Sequence, residues 1–143
     1  MTWTADVRRG AALDLAAAGV GVWREAGGYV DGETGITVKA APPKPDRIIA
    51  ITTYPVRSSL LSDVTLGLQV RCRGTRHPDD VDDLADAVYA RWHRAQGLTF
   101  GPARIALLWR QSHAVLGPDA NGRYETTSNF YAQTAHPSEH VTD

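Results

Sequence analysis

A strictly alternating segment near the middle of the chain constrains the fold most. Between Thr65 and Arg73, polar residues alternate with four apolar ones: Leu66, Leu68, Val70 and Cys72. Successive side chains of a β-strand point to opposite faces, so this pattern predicts a strand with one buried and one polar face. Such a strand is typical of an antiparallel sheet that is covered on one side only.

Two segments with helical periodicity accompany this strand. The first, from Thr4 to Ala18, is rich in alanine, and Gly19 follows as a helix stop. The second opens at Pro78, a favoured first helical position, and carries aspartates where the helix dipole is positive. We expect Gly97 to end it. Its buried stripe is predicted to consist of Val81, Leu84, Ala85, Val88 and Trp92.

The rest of the chain alternates between extended and turn-forming segments. The segment 41–45 is rich in proline and predicts an extended connector. Pro55 is expected to end the strand before it, which leaves a loop from Val56 to Asp63. Turn residues at 117–122 predict that the last two strands form a long hairpin. The predicted strands, besides Thr65–Arg73, are 21–24, 36–40, 47–54, 104–113 and 123–134.

These elements predict an α+β fold with one hydrophobic core. The expected architecture is an antiparallel sheet of about four main strands with two helices packed on one face, plus a long β-hairpin. The chain of 143 residues has the usual length of a single domain, which we place at residues 1–134. Residues 135–143 are polar and without periodicity, so they predict a flexible C-terminal tail.

Composition restricts the partners. Fifteen basic against sixteen acidic residues give a formal charge of -1, which provides no field for sequence-specific binding to nucleic acid. No apolar run approaches the ~20 residues of a membrane span, so we expect no membrane partner. The single cysteine, Cys72, lies on the apolar face of its strand and predicts a buried, inert thiol. These features fit a reducing compartment, and the cytoplasm is the expected location.

The sequence contains no catalytic or metal-binding motif. The aspartates between Asp79 and Asp86 are explained by the helix N-terminus and by solvation. His136 and His140 are four residues apart, but Pro137 opposes a helix there. We therefore expect no cofactor, no metal and no enzymatic activity. The remaining enzymatic alternative is an active site assembled from distant residues, with His113 and an Asp as base and orienting group.

Four residues are predicted to contact other proteins. Leu60 and Leu61 are adjacent apolar residues in a polar loop, where a lone monomer has little use for them. Arg57 lies in the same loop. Trp3 precedes the first helix, and an aromatic residue there either staples the helix or inserts into a partner. An interface formed by Trp3, Arg57, Leu60 and Leu61 is therefore expected.

The order of these elements resembles a known family. The features that carry the resemblance are the alanine-rich first helix, Pro45–Arg47 opening a strand, Leu61–Asp63 leading into Leu66–Arg73, His77–Asp79 opening a helix, and the closing segment Arg123–Ala132. Together they are similar to tail terminator and minor capsid proteins of long-tailed, actinobacteriophage-type phages. The resemblance extends over nearly the whole chain.

The resemblance implies a non-enzymatic virion protein. Such a protein closes into a ring of six copies at the head-proximal end of the tail, stops tube growth and docks to the head-neck connector. Its partners would be further copies of itself, the tail tube protein and the connector protein, with DNA passing through the ring. Three alternatives remain open: another neck protein (head closure or tail completion), a small cytoplasmic ligand-binding domain, and an enzyme.

Overall fold

A computed structural model describes residues 2–141, which form two helices and eight strands. In chain order they are α1 (Trp3–Ala17), β1 (Val22–Trp23), β2 (Gly35–Val38), β3 (Ile48–Ser58), β4 (Asp63–Arg73), α2 (Pro78–Trp92), β5 (Leu98–Phe100), β6 (Ala103–Ile105), β7 (Leu107–Pro118) and β8 (Tyr124–Ala135). Six strands form one sheet in the order β1-β2-β3-β4-β8-β7, while β5 and β6 form a separate hairpin. The predicted α+β class is confirmed.

The sheet is larger than predicted and is mixed. The pairs β3–β4, β4–β8 and β8–β7 are antiparallel, as expected. The pairs β1–β2 and β2–β3 are parallel, so the sheet has six strands where about four antiparallel ones were predicted. β1 and β2 match the short strands predicted at 21–24 and 36–40, which were not counted among the main strands of the sheet.

Both helices cover the same face of the sheet, as predicted. The buried face of β4 pairs in register with the apolar residues of its neighbours, for example Leu68 with Phe130 and Val70 with Ile51. These residues share one core cluster with Leu15 of α1 and Trp92 of α2. The other face of the sheet carries the polar side chains of β4 and β8. The alternation of β4 therefore predicted correctly that one face of the sheet is buried and the other is polar.

A glycine allows α1 to approach the small hairpin. A Cβ atom built on Gly10 would lie 2.3 Å from the backbone nitrogen of Gly101, which is far inside van der Waals contact. Gly101 sits in the turn between β5 and β6 with φ +57°, a conformation that favours glycine. The two backbones are therefore in direct contact, which attaches the hairpin to α1.

Several predicted boundaries are corrected. β3 continues through Pro55 to Ser58, because β2 ends opposite Ile51 and leaves the rest of β3 as an edge where proline is tolerated. α2 ends at Trp92 and not at Gly97, since the next two residues leave the helical conformation. Residues 103–105 form β6, so the first arm of the long hairpin begins at Leu107 instead of residue 104.

The proline-rich connector is held over the open face of the sheet by two buried arginines. Arg123 Nη1 donates to the carbonyl of Pro43 at 2.7 Å. Burial and the nearby Arg123 lower the pKa of the Arg73 guanidinium, which is 5% exposed. Arg73 donates to three connector carbonyls, those of Asp46 (2.9 Å), Pro42 (2.6 Å) and Pro45 (2.8 Å).

The C-terminal residues follow β8 closely at first. β8 runs to Ala135, and the backbone N–H of His136 donates to the carbonyl of Ser62 at 2.9 Å. The division into a domain at 1–134 and a flexible tail at 135–143 stays a prediction, and residues 142–143 lie outside the described part. Neither α1 nor α2 is long and apolar enough to cross a membrane.

Candidate assembly surfaces

The tip of the β3–β4 hairpin, residues 59–62, exposes two leucines. Leu60 is 96% exposed and Leu61 56%. The hydroxyl oxygen of Ser59 accepts a hydrogen bond from the N–H of Leu61 at 3.1 Å, and the hydroxyl lies 3.1 Å from the carbonyl of Asp63, to which it donates. These bonds close a tight turn, so both leucines point away from the core. We call this surface the hairpin tip.

A second apolar surface lies on edge strand β7. Residues 111–116 are all exposed, including Val115 at 73% and Leu116 at 51%. Within residues 2–141, the outer edge of β7 meets another segment only in its first residues. There Leu108 forms a bridge with Ala95, and the N–H of Arg110 donates to His93 Nδ1 at 3.0 Å. The backbone donors and acceptors of the remaining edge face outward. We call residues 111–116 the free edge.

The two surfaces lie at opposite ends of the sheet. Val64, next to the hairpin tip, pairs with Ser58, while Val115 pairs with Thr126, which in turn pairs with Cys72. Val64 and Cys72 both belong to β4 and are about 27 Å apart along the strand, at ~3.4 Å per residue. One molecule therefore presents two different apolar surfaces, well separated from each other.

Trp3 and Arg57 lie together in a groove beside the hairpin tip. The groove has a volume of about 400 Å³, and its lining includes Trp3, Val56, Arg57, Leu66 and His136. The Trp3 indole, inside the first turn of α1, stacks on the His136 ring with centroids 3.7 Å apart and planes at 6°. Arg57 belongs to β3 and not to the loop, which corrects its predicted place.

The four predicted interface residues thus share one end of the molecule. Leu60 and Leu61 form the tip, and Trp3 and Arg57 line the groove at its base. Trp3 is the first residue of α1, after the N-cap Thr2, so it does not occupy the position before the cap that a hydrophobic staple requires. It packs partly against the core and stacks on His136. A contact of these four residues with another protein stays a prediction.

The free edge was not predicted from the sequence. Val115 and Leu116 lie between the predicted strand 104–113 and the turn at 117–122. This position predicts the buried end of a hairpin arm. Their exposure depends on β7 being the last strand of the sheet, which the sequence does not indicate. The available signal was the adjacent apolar pair, the same feature that identified Leu60 and Leu61.

The open face of the sheet is an ordered polar surface. Tyr54 donates its hydroxyl hydrogen to Asn129 Oδ1 at 2.9 Å, and Asn129 Nδ2 donates to Ser112 Oγ at 3.0 Å. Arg71 pairs with Glu125 at 2.8 Å. These bonds connect β3, β4, β8 and β7 across the face, which suits a surface that contacts water.

The histidine considered as a catalytic base is paired with a serine. His113 Nδ1 lies 2.7 Å from Ser128 Oγ. Burial, together with Arg110, lowers the pKa of His113 below its usual value. Ser128 is only 3% exposed, so its hydroxyl is inaccessible to a substrate. The arrangement is a structural hydrogen bond between β7 and β8.

No metal site is formed in the described part of the chain: among residues 2–141, no three His, Cys, Asp or Glu side chains come together to hold an ion. Cys72 is 1% exposed, as predicted, and burial raises the pKa of its thiol to about 12. A thiol with this pKa is protonated at neutral pH and is a poor nucleophile or metal ligand.

Comparisons with known proteins agree with this architecture. A chain of the structure titled "Virion of native gene transfer agent (GTA) particle" superposes with a TM-score of 0.59 and 13% sequence identity, covering 94% of this chain and 95% of that chain. At this identity the likeness concerns the fold. No curated protein sequence gives a significant match. The family model for bacteriophage tail terminator protein matches residues 15–135. Since that match covers most of the chain, the protein belongs to the bacteriophage tail terminator family.

Proposed function

We propose that the protein closes into a ring of six copies at the head-proximal end of a phage tail, where it ends tube growth and docks to the head-neck connector. Membership of the tail terminator family makes it a structural protein of the phage tail. The observation that supports a ring is the separation of two apolar surfaces, the hairpin tip and the free edge, at opposite ends of one sheet.

A ring requires two different surfaces on each copy. In a heterologous contact one patch binds a different patch of the next copy, and the series closes when the rotation between copies is a simple fraction of a turn. The free edge offers unpaired backbone groups together with Val115 and Leu116, and the hairpin tip offers Leu60 and Leu61. Full burial of one such side chain contributes about 1.5–3 kcal/mol. Four such side chains per copy are enough to anchor a contact of moderate size.

The partners follow from the position of the ring. One ring face would meet the last layer of tail tube protein, and the other face would meet the head-neck connector. Phage DNA would pass through the hole without being read, in line with a formal charge of -1. The protein would assemble in the host cytoplasm, become part of the virion and perform no catalytic step.

The first test is the native mass of the purified protein over a range of concentration, combined with negative-stain imaging. Rings with a central hole are expected, either free or after addition of purified tail tubes. A protein that stays monomeric in both experiments would contradict the proposal. Binding to head connectors without binding to tubes would point instead to another neck protein.

Substitutions then test which surfaces hold the ring. Val115→Asp on the free edge and Leu60→Asp at the hairpin tip should each raise the concentration required for assembly by tenfold or more, since each places a charge in an apolar contact. Val30→Asp is the matched control, because Val30 is also an exposed valine, at 61%, but lies between β1 and β2. Equal effects of all three substitutions would argue against specific contacts.

A further inference from the structure

The outer side of α2 carries four aspartates without a counter-ion. Asp79, Asp82, Asp83 and Asp86 are exposed, and none of them forms an ion pair within residues 2–141. Asp80 differs, because it pairs with Arg47 at 3.0 Å. The helix dipole stabilises acidic residues in the first turn only, so it explains Asp79 but not the three further along. We call Asp82, Asp83 and Asp86 the acidic stripe.

The acidic stripe lies next to the free edge. Asp82 and Asp86 both act electrostatically on His113, which belongs to the free edge, and both favour its protonated form. Since α2 packs against β7 and β8, the stripe and the exposed Val115 are parts of one continuous side of the molecule. Arg110, whose guanidinium lies over the Tyr89 ring of α2, also acts on His113 and opposes the two aspartates. This side therefore combines apolar edge residues with three aspartates and one arginine.

The opposite end of the molecule carries positive charge without a partner. A groove of about 610 Å³ at the base of the hairpin tip is lined by Arg57 and Arg104. Neither guanidinium forms a hydrogen bond or an ion pair within residues 2–141. Asp63 also lines the groove, which leaves two positive charges against one negative charge. We call this surface the arginine groove.

We propose that the arginine groove of one copy receives the acidic stripe of the next copy. The inference rests on the proposed ring and identifies the contact that would hold it. A second copy is the fitting occupant for three reasons. The charges are opposite, they lie on opposite sides of the molecule as a heterologous contact requires, and each lies beside one of the two apolar surfaces. In a closed ring every groove and every stripe would be occupied.

Charge at such a contact mainly selects the partner and speeds encounter. At physiological salt the Debye length is about 8 Å, so ions screen the attraction before contact. Assembly should therefore slow as salt is raised, while rings already formed should persist because the apolar contact remains. This behaviour differs from that of a purely apolar interface, which kosmotropic salts strengthen.

The test uses two complementary charge reversals in the full chain. The groove variant carries Arg57→Glu and Arg104→Glu, and the stripe variant carries Asp82→Lys and Asp86→Lys. Each variant alone presents two surfaces of the same sign, so neither should form rings at ten times the concentration sufficient for the wild type. An equimolar mixture should form rings of alternating subunits, because each variant then complements the other.

The mixture also separates assembly from folding, since a misfolded variant would not be rescued by its partner. A control with Lys39→Glu and Arg94→Glu changes the net charge as much as the groove variant does, but at exposed sites outside both surfaces. The control should assemble like the wild type. Native mass and negative-stain imaging provide the readout for all samples.

Two results would overturn the inference. One is normal ring formation by either variant alone, and the other is failure of the mixture to form rings although both variants are folded. In the first case, loss of binding to tail tubes by the groove variant would assign the groove to the tube protein. If the wild type forms no ring, alone or on tubes, the proposed function fails as well, so the two failures are distinguishable.

Discussion

The indole Nε1 of Trp92 donates a hydrogen bond of 2.8 Å to Oδ2 of Asp14, which connects α2 to α1 across the top of the core. The same carboxylate accepts two bonds from Arg91, at 3.1 Å from Nε and 2.7 Å from Nη2. Trp92 is fully buried and also contacts the rings of Phe100 and Phe130. One aspartate therefore positions the largest side chain of the core.

Replacing this aspartate should destabilise the fold. Asp14→Ala leaves the buried indole N–H of Trp92 without an acceptor and removes the pairing of Arg91. We expect a loss of about 2–3 kcal/mol in the free energy of unfolding, the usual cost of an unsatisfied buried donor plus a lost charged hydrogen bond. Urea unfolding followed by tryptophan fluorescence measures this loss.

Asp83→Ala is the control, because Asp83 is an exposed aspartate of α2 without an ion pair in residues 2–141. Surface changes of this kind usually stay within about 0.5 kcal/mol. A loss for Asp14→Ala that is no larger than the control's would show that the bond does not hold the helices together.

Local patterns predicted the elements that carry long periodic segments. The apolar stripe of α2, the alternation of β4 and the turn at 117–122 each extend over enough residues to be recognised alone. Leu60 and Leu61 were identified because two apolar residues in a polar loop are exposed in almost any fold.

Long-range contacts determined what the sequence did not predict. The hydrogen bond between Trp92 and Asp14 joins residues that are 78 positions apart in the sequence, so no local pattern predicts it. The parallel pairing of β2 with β3 depends on how the connector folds back, which Arg73 controls from another strand. The exposure of Val115 depends on strand order. Each of these features requires the assembled sheet.

A second prediction concerns the close approach of Tyr54 to Gly67 on the open face of the sheet. The two residues are paired in register, and a Cβ atom on Gly67 would lie 2.4 Å from the tyrosine ring. Gly67→Ala should therefore displace the ring, break its bond to Asn129 and cost about 1–3 kcal/mol, the usual range for overpacking. Thermal unfolding measures the change.

A double-mutant cycle tests the physical cause. Tyr54→Ala removes the ring that the new methyl group would meet, so adding Gly67→Ala to that variant should cost much less than in the wild type. Additive losses would mean that the glycine is required by the strand backbone and not by the tyrosine.

A third prediction concerns the reactivity of Cys72. Its thiol is buried among apolar side chains, and burial raises its pKa to about 12. Only the thiolate reacts with a maleimide or a disulfide reagent, so the folded protein should be labelled at least a hundredfold more slowly than the protein in urea. Mass spectrometry of timed samples measures both rates. Rapid labelling under native conditions would show that β4 opens or that α2 detaches from it.

The last prediction concerns the arginine that holds the proline-rich connector. Arg73 directs three donor bonds to the carbonyls of Pro42, Pro45 and Asp46, an arrangement that requires the planar, forked guanidinium. A lysine keeps the charge but not the fork, so it cannot reach all three acceptors. Arg73→Lys should therefore cost about 2–4 kcal/mol and release the connector, because the buried carbonyl of Pro45 and two partly buried carbonyls lose their donors.

Hydrogen exchange separates the two parts of this effect. Exchange at residues 39–47 should accelerate in Arg73→Lys more than exchange in α1, since the connector loses its attachment directly while the helix loses only global stability. Arg76→Lys provides the control, because Arg76 is exposed and its side chain makes one hydrogen bond within residues 2–141, to the carbonyl of Asn121. Uniform acceleration over the whole chain would mean that the connector and the core unfold as one unit.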